Sequence, residues 1–252
     1  MVGNKVRTWN KDATIVISIS GSPATGKTSL CKTLGVVLSR NNIGFYYTSF
    51  TGFHNFSYLF SEVLYVFFKL FNRINPLCKN DSKVHPYDCI PIEHIAVLSR
   101  FIYFLEILSL YLKALIVLLK IAISRPRVVL LDEGFPHIIL NYIMFFYTRK
   151  SKLYRHLNKH VTKLLQFFLK RFKIIAIFII PPQDKVIKYW IKRDPYLPSL
   201  LVIGWTKTYY VIIPSIVKMM KEFMDIETLF FSNTEEAFYY ILNIAGVKLD
   251  SP

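Results

Sequence analysis

The sequence predicts a doubly wound α/β fold with a five-stranded parallel sheet, and three observations support this prediction. Short apolar segments rich in β-branched residues alternate with segments of helical periodicity. A glycine-rich turn lies between the first apolar segment and the first helical one. The 252 residues show neither a repeat nor a shift in composition. We therefore expect one domain over residues 1–252, built as three layers with the sheet between two layers of helices.

The first half of the chain alternates strand and helix twice. Residues 13–20 (ATIVISIS) are a β-branched run that ends at a glycine, which is typical of a buried parallel strand. A helix is predicted over 26–39, and paired asparagines close it. Residues 44–49 (GFYYTS) are the second predicted strand. The next helix, over 56–71, is rich in aromatic residues that would form core, line an acceptor pocket or cover a dimer face.

A polar segment with three prolines, residues 72–91, is predicted to be an insertion or loop. A helical tract of one or two helices then covers 92–124, and its residues 101–121 are apolar enough to raise the question of a membrane span. That stretch also carries charged residues, namely Glu106, Lys113 and Lys120. We therefore predict a buried helix with one solvent-exposed edge and not a membrane span.

The second half of the chain continues the same alternation. Three further strands are predicted, at 127–131 (RVVLL), 173–180 (KIIAIFII) and 227–231. The helices between and after them are predicted over 138–148, 152–172, 185–192, 206–221 and 235–245. A loop marked by two prolines is expected over 194–204.

The composition excludes a disordered chain, since 53% of the residues are hydrophobic and the mean hydropathy is +0.35. Residues 1–12 hold no apolar core of a secretory signal, and no transmembrane span is predicted, so a cytoplasmic location is expected. The 32 basic residues outnumber the 16 acidic ones, giving a net charge of +16. This excess of basic residues indicates either an anionic ligand or merely a lysine-rich surface. If there is an anionic ligand, the charge alone does not show whether it is a nucleotide, a nucleic acid or an acidic lipid.

The three cysteines are too few for a disulfide framework and fit a reducing interior. Four side chains that could bind zinc occur close together in sequence, at Cys78, His85, Cys89 and His94. Their spacing matches no zinc motif, so unrelated loop residues are favoured over a metal site. Cys31, on the first helix, is expected to be buried and inert.

The most specific feature is the turn GSPATGKT, which fits GxxxxGK[ST] at every fixed position. Its glycines allow backbone angles and close approach that a Cβ would block, and its N–H groups can surround a phosphate at the N-terminus of the following helix. Lys27 is predicted to bridge the β- and γ-phosphates, and Thr28 to offer its hydroxyl to Mg²⁺. The predicted nucleotide-binding residues are Gly21, Ser22, Pro23, Ala24, Thr25, Gly26, Lys27, Thr28 and Ser29.

A second acidic element ends the strand at 127–131. Asp132 lies at the tip of that strand, where a carboxylate beside the glycine-rich turn would hold Mg²⁺ directly or through water. Glu133 follows and is placed to act as a base on water or on a substrate hydroxyl. His137 would touch an acceptor or merely begin the next helix.

These two elements leave two main classes of function. One class transfers a phosphoryl group to a small acceptor, and the other couples ATP hydrolysis to nucleic acid or a protein partner. A nucleotide-binding module without turnover is least favoured, because both elements are intact. No LSGGQ segment occurs, and the strand at 173–180 leads through Pro181 and Pro182 into a helix that ends in Lys192, Arg193 and Asp194.

In this order of elements the sequence resembles the thymidylate kinase-like branch of the P-loop nucleoside and nucleotide kinases. The resemblance implies an ATP- and Mg²⁺-dependent phosphotransferase with a nucleoside or nucleoside monophosphate as the favoured acceptor. It implies a lid over 192–204, in which Arg193 acts on the transferred phosphoryl group and Lys192 is a second candidate. It also implies that Asn233 and Thr234 lie beside the adenine and that Arg100 contacts the acceptor.

The sequence departs from that family at one informative place. Asp132 is followed by Glu133 and Gly134, where thymidylate kinases usually have Asp-Arg and then an aromatic residue. Thymidine monophosphate is therefore not a safe choice of acceptor. The expected partner is a small molecule; nucleic acid is less favoured, and a homodimer and the choice between ATP and GTP are left open.

Overall fold

Five parallel strands form one sheet in the order β2-β3-β1-β4-β5. The computed structural model describes residues 14–50, 52–53, 56–74, 89–148, 153–195 and 199–247. The strands are β1 (Ile15–Gly21), β2 (Phe45–Ser49), β3 (Val128–Asp132), β4 (Lys173–Ile179) and β5 (Glu227–Phe231). The predicted doubly wound parallel sheet is confirmed, and each predicted strand lies within two residues of an observed one.

Helices cover both faces of this sheet in the described part of the chain. They are α1 (Lys27–Arg40), α2 (Phe56–Leu70), α3 (Ile92–Ser124), α4 (Phe135–Thr148), α5 (Leu153–Leu169), α6 (Gln183–Arg193), α7 (Ser199–Met224) and α8 (Thr234–Ala245). One layer holds α1 and α8, and the other holds α2, α3, α4, α5 and much of α7. Successive residues of a strand face opposite layers, so β1 sends Val16 into one core and Ile17 into the other.

The register of the central strands brings the glycine-rich turn after β1 and the acidic residues after β3, both predicted from the sequence, to the same edge of the sheet. Ile19 of β1 pairs with Asp132 of β3, and Gly21 pairs with Ile179 of β4. Parallel strands end at the same edge of a sheet, so the turn after β1 and the carboxylate after β3 become neighbours. In such sheets, ligands bind at this edge, where the strand order reverses.

One prediction about the helices needs correction, and another, which left two alternatives open, is resolved. The loop expected over 194–204 is helical from Ser199, because α7 begins there and buries Val202 against Trp190. The loop was predicted from Pro195 and Pro198, and Gly204, at its expected end, lies inside α7. The tract over 92–124 is one helix, α3, with 33% of its most apolar stretch buried.

The sequence suggested that Glu106 lies on a solvent-exposed edge of α3, but the structure buries it. It is in helical phase with Ile102 and Leu110 and is 1% exposed. Its Oε1 accepts hydrogen bonds from the hydroxyl of Tyr142 at 2.7 Å and from the N–H of Phe53 at 2.6 Å. Burial raises the pKa of this carboxyl group, although these hydrogen bonds oppose the shift. Glu106 therefore ties the segment after β2 to α3 and α4.

The cysteines divide into two kinds. Cys31 is a buried free thiol, as predicted, and burial raises its pKa well above the usual range. Cys89 is disulfide-bonded, which differs from the free thiols expected in a reducing interior and removes a thiolate from the zinc hypothesis. Two further members of that hypothetical site, Cys78 and His85, lie outside the described residues, as does most of the predicted insertion at 72–91, while His94 lies on α3. Within the described ranges, no three His, Cys, Asp or Glu side chains are grouped closely enough to hold a metal.

Candidate active site

The turn between β1 and α1 lies tightly against the end of β4. A Cβ at Gly21 would overlap the carbonyl oxygen of Ile179, so the turn can take this path only with glycine there. Gly26 has φ +83°, in the left-handed region that favours glycine, and α1 begins at the next residue. The side chain of Thr25 donates to the carbonyl oxygen of Ser22 at 2.9 Å and closes the turn internally.

Lys27 projects into this turn and is 4% exposed. Its Nζ donates to the carbonyl oxygens of Gly21 at 3.1 Å and Ser22 at 2.8 Å, and it lies 3.9 Å from an oxygen of Glu133. Burial lowers the pKa of Lys27, while attraction to Glu133 and Asp132 opposes that change. The ammonium group is therefore held inside the turn, close to the carboxylates that follow β3.

Asp132 is 3% exposed and lies directly beside the start of α1. Its Oδ2 accepts a hydrogen bond from the hydroxyl of Thr28 at 2.7 Å and a longer one from the hydroxyl of Tyr47 at 3.3 Å. Its Oδ1 is buried without a protein partner. A hydroxyl and a carboxylate with an unpaired oxygen are hard oxygen ligands of the kind that Mg²⁺ prefers, so this pair fits a magnesium ion.

Glu133 adopts a left-handed backbone conformation with φ 58°, which is uncommon for a residue with a side chain and costs on the order of 1–3 kcal/mol. Its N–H donates to the carbonyl oxygen of Ile19 at 2.9 Å, and its carboxylate lies 3.5 Å from Nε2 of His137. The side chain is 31% exposed, unlike that of Asp132. The two neighbouring acids thus face different surroundings: Asp132 lies against α1, and Glu133 lies between Lys27, His137 and solvent.

Gly134, the second residue after Asp132, lies tightly against β1. A Cβ at this position would overlap Oγ of Ser18 on β1 and approach Cβ of Ser18 to 2.9 Å. A larger residue at position 134 would push α4 away from the sheet. The Glu133 turn therefore requires a small residue at its second position.

We predict that Gly134→Ala lowers the free energy of unfolding by about 2 kcal/mol, because the new methyl group has no room. The matched control is Gly204→Ala, because nothing lies within 4 Å of a Cβ built at that helical position. This control should raise the free energy of unfolding by about 0.5–1 kcal/mol. Urea unfolding of both variants measures the difference, and equal effects at the two positions would contradict the packing described here.

His137 is buried next to the turn, with 4% of its surface exposed, and makes a hydrogen bond to the backbone of Gly21. Burial lowers the pKa of His137 to about 4, so the imidazole is neutral at pH 7. A neutral ring next to Lys27 and Glu133 leaves their opposite charges to attract each other. His137 therefore supports the turn through this hydrogen bond. It also lies in the first turn of α4, which is one of the two roles that the sequence predicted for it.

This buried histidine predicts a pH dependence of stability. Between pH 6.5 and 4 the histidine of the unfolded chain takes up a proton while the folded His137 does not, so acid favours unfolding. The stability lost over this window is about 3 kcal/mol. His137→Gln should lose about that much less between pH 7 and pH 4, as measured by urea unfolding, whereas the exposed control His156→Gln should keep the wild-type slope. A wild-type slope in the His137 variant would contradict the assignment.

Helix α6, which leads into the predicted lid at 192–204, shares a small apolar cluster with α7 and the turn. Trp190 of α6 stacks on Trp205 of α7 with ring centroids 5.8 Å apart, and Ala24 in the turn packs against the cluster that Trp190 forms with Val202. Arg193, at the end of α6, pairs with the carboxylate of Asp194, and its charge adds to the effect of burial in lowering the pKa of Lys27. Arg193 and Lys192 are both exposed.

The remaining predicted residues differ in their position. The Cγ2 atom of Thr234 lies 3.1 Å from a Cβ built at Gly26, so Thr234 adjoins the turn. The Asn233 side chain accepts from the N–H of Glu236 at 2.8 Å and caps α8, which is a structural use of this residue. Arg100 is exposed on α3, and in the described residues no hydrogen bond or ion pair joins it to the turn. The ligand roles of all three stay predictions.

Sequence reasoning missed two tyrosines near the carboxylates. Tyr47 reaches Asp132 from β2, and burial together with Asp132 raises the pKa of Tyr47 to about 12. Tyr209 of α7 donates to Oδ1 of Asn141 at 3.2 Å, and burial and Glu133 both raise its pKa. Only the strand order and the packing of α7, neither visible in the sequence, bring them to this edge.

The strand, the glycine-rich turn and the helix that follows define a P-loop protein of the three-layer α/β class. No family model matches this chain, and no curated protein matches it.

Similar solved structures include the YorR protein from Bacillus subtilis in complex with phosphorylated GDP, at 11% identity, a TM-score of 0.42 and coverage of 92% of this chain and 96% of that one. The NadR protein in complex with NR is 14% identical, with a TM-score of 0.38 and coverage of 96% and 54%. APE1195 is 11% identical, with a TM-score of 0.36 and coverage of 95% and 98%. Likenesses of this degree carry no information about ligand or reaction.

Proposed function

We propose that this chain is an ATP- and Mg²⁺-dependent phosphotransferase that moves a γ-phosphoryl group to a small acceptor. The observation that supports it best is the joint position of Lys27 inside the turn and of Thr28 and Asp132 in hydrogen-bond contact beside it. A buried cation next to a hydroxyl–carboxylate pair suits a polyphosphate and its magnesium ion. A nucleoside or nucleoside monophosphate is the favoured acceptor, on the resemblance in element order.

On the nucleotide side, each residue of the turn has a defined task. Lys27 now donates to two carbonyl oxygens of its own turn, and it would exchange these for the β- and γ-phosphate oxygens. Thr28 and Asp132 would hold Mg²⁺, which when bound neutralises the charge that develops on the phosphoryl oxygens. Gly21 and Gly26 keep the backbone close enough for its N–H groups to reach the phosphates.

On the acceptor side, Glu133 is the residue placed to take a proton. The acceptor oxygen attacks the γ-phosphorus, the bond from that phosphorus to the bridging oxygen breaks, ADP leaves, and the proton of an acceptor hydroxyl passes to Glu133. When the acceptor is a phosphate oxygen that is already ionised, no proton needs to move and Glu133 only positions it. Arg193 would leave Asp194 and stabilise the equatorial oxygens during transfer.

The test is ADP release by the full-length protein with a panel of nucleosides and nucleoside monophosphates, and separately with single-stranded DNA and RNA. We expect ADP release that depends on one class of small acceptor, with a phosphorylated product seen by mass spectrometry. ADP release stimulated only by a polymer would replace the phosphotransferase with an ATPase that acts on nucleic acid. No release under any condition would contradict both functions.

A further inference from the structure

Helices α2 and α3 form an apolar face that no other described element covers. They run antiparallel, since Ser57 contacts Ser109 and the ring of Phe68 lies against His94. Most of the large apolar side chains that are exposed in the described chain lie on these two helices. We call this the α2–α3 face and represent it by Leu59, Val63, Phe67, Phe104, Leu108 and Leu115.

The α2–α3 face is exposed over most of its length. Val97 is 82% exposed, Leu59 64% and Phe104 61%. Along α3 the exposed apolar residues recur at intervals of four and three, which keeps them on one side of a helix about 50 Å long. Contiguous apolar surface of this extent marks an interaction site rather than ordinary exposed side chains.

The charges next to this face are almost entirely basic. Helix α5 lies beside α3, where Tyr111 contacts His160 and Tyr103 contacts His156. From Leu153 to Arg171 the sequence contains no acidic residue, and its exposed basic residues are Arg155, Lys159, Lys163, Lys170 and Arg171. Helices α2 and α3 contain three acidic residues, Glu62, Glu93 and Glu106, of which Glu106 is buried and Glu62 accepts a hydrogen bond from Tyr58.

We propose that the α2–α3 face docks on an anionic lipid surface, with the basic side of α5 contacting the headgroups. Apolar and aromatic side chains that enter the acyl boundary, together with basic residues at its edge, are what an interfacial helix requires. A second copy of the chain fits less well, because it would bring the same basic flank and a net charge of +16 against this one.

The same helix does not need to cross the membrane. Although Val97–Ser124 is long and apolar enough to span by length and composition, its opposite side is packed on the sheet layer. Ile102, Leu110 and Val117 are buried there, and Glu106 holds Tyr142 and Phe53. Removing α3 from this core would expose those partners, so docking from one side keeps the fold intact.

Vesicle flotation of the full-length protein tests this proposal. We expect flotation with vesicles of phosphatidylcholine and phosphatidylglycerol, little with phosphatidylcholine alone, and weakening by salt. A variant with Leu59→Gln, Val63→Gln, Phe104→Gln and Leu115→Gln should bind at least about tenfold more weakly. The matched control replaces exposed apolar residues on other helices, with Val36→Gln, Leu200→Gln, Val211→Gln and Tyr239→Gln, and should float like wild type.

A second measurement does not depend on the multiple variant. An environment-sensitive dye on Phe104→Cys should shift to the blue with anionic vesicles, and the same dye on Val211→Cys should not. Three results would overturn the proposal: no flotation with anionic vesicles, equal flotation of the quadruple variant and wild type, or an unshifted dye at position 104. A dimer that the quadruple variant converts to monomer, without vesicle binding, would instead make the α2–α3 face a contact between copies.

Discussion

Replacing Lys27 by alanine is expected to lower phosphoryl transfer on the order of 10³-fold or more. The physical reason is its position: Nζ is buried inside the turn, 2.8 Å from the carbonyl oxygen of Ser22 and 3.9 Å from Glu133. In such a site, screened from water, a cation stabilises the transferring phosphoryl group far more than it would at the surface. The rate of ADP formation with saturating acceptor measures the effect.

The matched control is Lys32→Ala, five residues further along α1. Lys32 is exposed and lies on another side of the helix, so its loss should leave the rate unchanged. Circular dichroism of both variants separates a lost charge from a lost fold. Undiminished transfer in the Lys27 variant would rule out the role assigned to this residue.

Replacing Asp132 by asparagine is expected to lower transfer on the order of 10²-fold or more and to raise the Mg²⁺ concentration needed for half-maximal rate. The substitution preserves shape, so the contacts with Thr28 and Tyr47 can persist. It replaces Oδ1, which is buried and has no protein partner, by an amide group that cannot bind a cation or by a weaker neutral oxygen. A Mg²⁺ titration of the rate at fixed ATP measures both effects.

Asp184→Asn is the control for this prediction, since Asp184 is exposed at the start of α6. It should leave both the rate and the Mg²⁺ dependence as in wild type. If the Asp132 variant titrates with Mg²⁺ like wild type, the metal site is not at this carboxylate.

The sequence was informative where the chemistry is local. The turn at residues 21–28 and the acids after β3 could be found because strand, glycines and carboxylates lie close together along the chain, and parallel strands end at one edge. Lys27, Thr28, Asp132 and Glu133 come together in the structure as this reasoning predicts. Their ligand roles still need the experiments described above.

Features that depend on tertiary packing could not be predicted from the sequence. Tyr47 reaches Asp132 only because β2 pairs with β3. The order in which strands pair in a sheet cannot be deduced from the periodicity of each segment. Glu106 was placed on a solvent-exposed edge because a carboxylate is usually solvated, whereas here it is buried and its Oε1 accepts from the hydroxyl of Tyr142 and a backbone N–H. The start of α7 was missed because Pro195 and Pro198 indicated a loop up to Gly204, whereas the packing of Val202 on Trp190 favours a helix from Ser199.

Calorimetric titration of the wild-type protein with ATP and with GTP, with Mg²⁺ and with a chelator, tests the central claim most directly. We predict that at least one triphosphate binds, that the chelator weakens binding on the order of tenfold or more, and that Lys27→Ala removes most of the affinity. A protein that binds neither triphosphate, with or without Mg²⁺, would contradict the account.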